Sequence, residues 1–154
     1  MGVPHITVKS PLGPLSVFER DGSIVALDYG RTAGRDAPTP LLRAAARQIE
    51  GYFAGRLKAF ELPLAPAGTA FQQAVWEGMR RIGYGRTCSY ADLARELDSG
   101  PRAIGGACAR NPLPIIIPCH RVLASGQRIG GYGSPGGLDT KRFLLELEGV
   151  RLAA

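Results

Sequence analysis

The stretch AFELPLAPAG at residues 59–68 carries two prolines and a glycine, so no regular element can run through it, and the hydrophobic pattern differs on its two sides. Before it, ITVKS, LSVFE and IVALDY alternate apolar and polar residues in the manner of half-buried strands. Gly13-Pro14 and Asp21-Gly22 are turn signals between these runs, which predicts a small antiparallel meander. After the loop RTAGRDAPTP, Thr39 can cap a helix with Pro40 at its first position. Leu42, Ala45, Ile49 and Phe53 then share one face, and Gly55 ends the helix.

Beyond residue 68 the period becomes helical. Thr69 can cap a helix striped by Phe71, Val75, Met79 and Ile82 and closed by Gly83 and Gly85. In SYADLAREL, Ser89 and Asp92 have capping-box spacing. Asp98-Ser99-Gly100 is a tight turn, Pro101 suits a first helical position, and RAIGGACAR follows until Asn111-Pro112 breaks it. The expectation is an α+β protein. Residues 1–68 form a small antiparallel sheet with a helix, and residues 69–154 form a mostly helical domain with a winged helix-turn-helix.

The second helix of that pair is unusual for a reader of base edges. Ala103, Gly105, Gly106, Ala107 and Ala109 leave it almost without side chains, although a bare helix can lie close in a narrow groove. Charge points the same way. The chain carries +6, and sixteen of its nineteen basic residues are Arg, whose planar fork pairs phosphate oxygens. Residues 1–68 contribute only +2 (eight basic, six acidic), whereas residues 80–128 contribute +5, with eight Arg against Asp92, Glu96 and Asp98. The three cysteines have no disulfide spacing, and MGVPHITVKS lacks the apolar core of a secretory signal. No apolar run is long enough to cross a bilayer, so a soluble, cytoplasmic, monomeric protein is expected.

Residues 115–122 read IIIPCHRV, an apolar run that ends in a thiol beside an imidazole. Cys119 can be a small core residue, or a nucleophile whose base is His120. Neighbours on an extended chain point apart, so a water between them would have to relay the proton. Cys88, Cys108, Cys119 and His120 lack the spacing of a metal site. The formal G-x-G-x-x-G from Gly131 to Gly136 contains Pro135 and leaves no room for a βαβ unit, which excludes a dinucleotide site. In the closing helix LDTKRFLLELEG, Arg142 and Glu146 have the spacing of a surface ion pair. Glu148 lies on the side of Leu144 and Leu145 and would be a partly buried carboxylate in need of a partner.

Asn111-Pro112 before IIIPCHRV, Ser89-Tyr90 and Arg102-Ala103-Ile104-Gly105 upstream, and Gly130-Gly131-Tyr132 with Glu148 downstream together resemble the O6-alkylguanine-DNA alkyltransferases, also called methylated-DNA–protein-cysteine methyltransferases. The resemblance is dense over residues 69–149. It implies that Cys119 accepts an alkyl group irreversibly and once, with no cofactor, from O6-alkylguanine in double-stranded DNA, O4-alkylthymine being a second candidate. It further implies that His120 activates Cys119 through a water, that Glu148 orients His120, that Asn111 braces the turn, and that Tyr90 protonates the leaving guanine. Pro114, Tyr132, Gly133 and Ser134 would line the pocket, with the N–H of Gly133 or of Ser134 meeting the guanine oxygen. Arg102 would fill the gap left by a flipped base, with Ala103, Gly105, Arg110, Ser125 and Tyr90 against the DNA and the second helix in the minor groove. A non-enzymatic binder of alkylated DNA and a thiol hydrolase are the competing classes.

Overall fold

Asp21 and Gly22 both adopt positive φ, 51° and 79°, in the computed structural model, which describes residues 3–131 and 136–152. Two consecutive positive φ values are what a two-residue hairpin turn requires, and they explain why this dipeptide joins the second and third strands. Strands β1 (His5–Val8), β2 (Leu15–Arg20) and β3 (Ser23–Tyr29) form an antiparallel sheet in the order β1-β2-β3. Val17 faces Leu27 across it, and a bulge follows Phe18. The outer edge of β3 is covered where the chain returns. Ile24 N donates to Pro63 O at 2.8 Å and Ala65 N to Ile24 O at 3.0 Å, which blunts an edge that would otherwise invite pairing with another chain.

Helix α1 (Pro40–Phe53) begins as the sequence predicts, with the Thr39 hydroxyl accepting from Leu42 N at 3.1 Å and Pro40 in the first turn. It buries Leu42, Ala45, Ile49 and Tyr52 with Val8, Leu15, Val17, Ile24 and Leu27 of the sheet. The expected Phe53 is only partly buried. Tyr52, which continues the three- and four-residue spacing from Ile49, takes the core position, and Phe53 packs edge-on against its ring at 5.2 Å.

The chain divides into the units Met1–Ala67 and Gly68–Ala154. In the second, α2 (Ala70–Arg80), α3 (Tyr90–Glu96), α4 (Pro101–Ala109) and α5 (Leu138–Leu147) are joined by β4 (Cys88–Ser89) and β5 (Val122–Leu123), a two-residue parallel ladder. Capping boxes close α2 through Thr69 and Gln72, and α3 through Ser89 and Asp92. Of the expected α2 stripe, Val75 and Met79 are buried, whereas Phe71 is 38% exposed and Ile82 lies past the helix end. Trp76 fills the core instead. Its Nε1–H donates at 3.0 Å to Ala107 O, a carbonyl in the last turn of α4 that also accepts from Arg110 N at 3.2 Å. Helices α3 and α4 pack on each other across residues 97–100, and Asp98 turns the chain with φ 52°. The mixed α/β architecture matches the sequence expectation. Glu146 is exposed and takes part in none of the ion pairs among the described residues, so the expected pair with Arg142 does not form.

Candidate active site

The isoleucine run is not a strand. Asn111 turns it into a braced loop. Its Nδ2 donates to Ile117 O at 2.9 Å, and its Oδ1 accepts from Leu113 N at 2.9 Å. Ile117 N closes the loop on Leu113 O at 2.8 Å, and Ile115 is held at φ 75°. That is a costly conformation for a β-branched side chain, and it persists because Ile115, Ile116 and Ile117 are all buried. Pro118 has φ −81° and ψ 66°, an inverse γ-turn in which Cys119 N donates to Ile117 O at 2.8 Å. Cys119, His120 and Arg121 then form one 3₁₀ turn rather than the extended chain expected, and all three are buried.

Glu148 stands at the C-terminal cap of α5 and is buried, as its spacing from Leu144 and Leu145 predicts. Its Oε2 lies 2.7 Å from His120 Nε2. Arg121 grips the same carboxylate with both arms, Nε on Oε1 at 2.8 Å and Nη2 on Oε2 at 3.0 Å, and Gly85 N donates to Oε1 at 3.2 Å. Facing a guanidinium on both oxygens, the carboxylate is ionised, so the shared proton sits on His120 Nε2. The other ring nitrogen, Nδ1, is buried without a hydrogen-bond partner. An imidazole with one nitrogen pinned and the other open, one residue from a buried thiol, keeps a lone pair able to accept a proton. Burial, more than any charge, holds the His120 pKa below its ordinary value.

Tyr90 opens α3 and is partly exposed, and its hydroxyl reaches toward Gly131 O at 3.5 Å. Burial, with smaller effects of Cys108 and Cys119, pushes its pKa up to about 12, so it remains a proton donor at neutral pH. The other two thiols are poor nucleophiles. Burial raises Cys88 to about 11 and Cys108 to about 12, and the Cys108 thiol points at Met79 Sδ, 3.6 Å away. All three cysteines are free of disulfides. Pro114 is partly buried and bridges to Ile117. Tyr132, Gly133 and Ser134 lie outside the described residues. Arg102, Ala103 and Arg110 are exposed on or just after α4, Gly105 is partly exposed, and Ser125 is exposed in a short 3₁₀ turn after β5. Among the described residues, no cluster of His, Cys, Asp and Glu could hold a metal ion.

Two buried cations escaped the sequence reading. Arg121 is one. The other is Lys141 of α5, which is fully buried, donates to Val122 O at 2.7 Å and Gly131 O at 3.0 Å, and sits 5.6 Å above the Tyr90 ring. Lys141 precedes Leu144, Leu145 and Glu148 by three, four and seven residues, so the periodicity that singled out Glu148 applies to it equally. Burial lowers its pKa to about 8. The unfolded chain therefore binds this proton more tightly than the folded one. That handicap is present in full below pH 8 and disappears as pH rises toward 10.5. We predict that Lys141→Met removes a rise in stability with pH, worth at most on the order of 3 kcal/mol between pH 8 and 10.5. Urea midpoints of both proteins at several pH values check it. Parallel curves would show that the amine is neutralised some other way.

The chain matches two family descriptions in series. Residues 4–66 match "6-O-methylguanine DNA methyltransferase, ribonuclease-like domain", and residues 70–150 match "6-O-methylguanine DNA methyltransferase, DNA binding domain". It is 50% identical over 150 residues to the methylated-DNA–protein-cysteine methyltransferase of Methanosarcina acetivorans, covering 92% of this chain and 95% of that protein. It is 39% identical over 158 residues to the constitutive enzyme of Bacillus subtilis, covering 95% of each. The crystal structure of Mycobacterium tuberculosis OGT in complex with DNA superposes with a TM-score of 0.84 at 40% identity, covering 95% of this chain and 92% of that one. With family matches on both sides of the residue 59–68 connection and relatives of this identity along nearly its whole length, the chain belongs to the methylated-DNA–protein-cysteine methyltransferases, which repair DNA by moving an alkyl group onto a cysteine of their own.

Proposed function

We propose that Cys119 is the cysteine to which this DNA-repair methyltransferase transfers the alkyl group of O6-alkylguanine in double-stranded DNA, once per molecule. The observation that carries the assignment is His120, whose Nε2 is held by Glu148 while its buried Nδ1 has no hydrogen-bond partner, one residue along the chain from Cys119. A water passes the Cys119 proton to Nδ1. The sulfur then forms a bond to the saturated carbon on O6 while the carbon–oxygen bond breaks and its electron pair leaves with guanine. The Tyr90 hydroxyl protonates the departing base, and the imidazolium proton later restores the tyrosine. The products are a thioether and neutral guanine. No group in the site reverses a thioether, so the protein is consumed. Asn111 fixes the loop that presents Cys119, Pro114 walls the pocket, and the family resemblance assigns Tyr132, Gly133 and Ser134 to the same lining.

Helices α3 and α4 act as a helix-turn-helix whose second helix enters the minor groove. Its bareness supports this reading. A Cβ added at Gly105 or Gly106 would meet nothing within 4 Å, so these glycines are not demanded by packing inside the protein. Each costs the helix about 1 kcal/mol relative to alanine, which makes sense when an outside surface must come close. Ala103, Arg110, Ser125 and Tyr90 lie along the duplex, and Arg102 enters the stack as the damaged base flips out. Three thiols without a disulfide suit a reducing cytoplasm, and the protein acts as a monomer.

Arg102 separates DNA handling from chemistry. Free O6-benzylguanine has no stack to leave, so Arg102→Ala slows repair of alkylated duplex at least tenfold, about 1.4 kcal/mol at the transition state. It leaves the rate with the free base nearly unchanged. Single-turnover rates on both substrates measure it. Equal slowing of both would make Arg102 a structural residue.

A further inference from the structure

Glu148 is built into a charge arrangement that a simple histidine–carboxylate pair does not need. A carboxylate against an imidazole raises its proton affinity and so favours an imidazolium before any substrate arrives. Here Arg121 covers both carboxylate oxygens at 2.8 and 3.0 Å, and its remaining arm donates from Nη1 to Ile82 O at 2.6 Å, just past α2. The guanidinium also lies 5.8 Å from the centre of the Tyr84 ring. The fork is thus anchored by three hydrogen bonds and a ring, and it is nearly as buried as the pair it serves.

We infer that Arg121 is a positioning residue that cancels the Glu148 charge, so that His120 stays neutral with Nδ1 ready to take the thiol proton. This rests on the assignment of Cys119 and His120 to alkyl transfer. Every charged or titratable group that bears on His120 fits the inference. Glu148 alone favours its protonation, while burial, Arg121 of the same turn and Lys141 of α5 oppose it. The divided roles explain a geometry in which one carboxylate accepts from an imidazole and a guanidinium at once. Glu148 orients the ring through Oε2, and Arg121 removes most of the electrostatic cost of having it there.

The chain has two histidines, so a His5→Asn variant assigns the His120 resonance by elimination, and its titration can be followed by NMR before any DNA is added. In the wild-type protein His120 stays neutral at pH 7 and titrates below the ordinary imidazole range. In Arg121→Gln the uncompensated carboxylate raises that midpoint by about one unit or more. In Arg121→Lys, which keeps the charge and loses the fork, the midpoint stays near the wild-type value while transfer slows. An imidazolium at pH 7 in the wild type, an unchanged midpoint in folded Arg121→Gln, or a rise of a unit in Arg121→Lys would each overturn the inference. If Arg121→Gln fails to fold, the wild-type and Arg121→Lys titrations still decide. Failure of the Cys119 assignment would read out differently, as the absence of alkyl mass on that residue, and would leave these titrations untouched.

Discussion

In the presence of excess duplex DNA carrying O6-methylguanine, the protein gains one methyl group and no more, on the peptide that contains Cys119, and Cys119→Ser gains none. Thiolate supply decides which cysteine reacts. With Cys88 near 11 and Cys108 near 12, only about one in ten thousand or fewer of those groups is a thiolate at pH 7, and neither has an adjacent base. Cys119 has one, because His120 Nδ1 is open and its opposite nitrogen is held. Serine in its place offers an oxygen that this imidazole cannot deprotonate to a useful extent, so the loss is expected to be complete within detection. Intact mass followed by peptide mapping reads both the count and the position. A second methyl, or methyl on Cys108, would refute the assignment, and guanine released in excess over protein would point to a thiol hydrolase instead.

What the sequence made legible was local. Thr39 before Pro40, the Thr69 and Ser89 caps and the Asp21-Gly22 turn each depend on residues within four positions, and each formed as expected. Glu148 was visible because helical spacing placed it with two leucines. The misses share a different cause. Phe71 follows the α2 stripe, yet Trp76 fills the core, because which side of an amphipathic stripe is covered depends on where α4 lies. The parallel ladder of Cys88–Ser89 with Val122–Leu123 joins segments more than thirty residues apart and has no local signature. The Ile115–Ile117 run shows only as an apolar stretch, and the loop it forms depends on two hydrogen bonds made by the Asn111 side chain. Arg121 sits in plain view inside PCHR, but its role exists only through its partner Glu148, twenty-seven residues on.

That partner carries the second large effect. Glu148→Gln slows alkyl transfer by ~10²–10⁴, the usual worth of a positioned general base, whereas Glu146→Gln leaves the rate unchanged. The amide is nearly the same size, so the change is in its donors and acceptors. Glu148 accepts from His120, from two nitrogens of Arg121 and from Gly85, whereas a glutamine has one acceptor oxygen and presents an NH₂ to the other donors. If the oxygen turns to Arg121, His120 Nε2–H meets an N–H and the ring rotates or changes tautomer, taking the lone pair off Nδ1. If it turns to His120, Arg121 is left buried and partly unpaired. Breaking one side of such a pair typically costs about 3–5 kcal/mol of stability, so the rate must be measured where the variant is folded, with thermal melts alongside. Glu146 is exposed and makes no ion pair among the described residues, which makes it the control for charge on the same helix. Equal, small effects of the two substitutions would reduce Glu148 to a helix-end residue. A destabilised Glu148→Gln protein that transfers at the wild-type rate while folded would confine the carboxylate to holding Arg121 and leave the activation of Cys119 to another group.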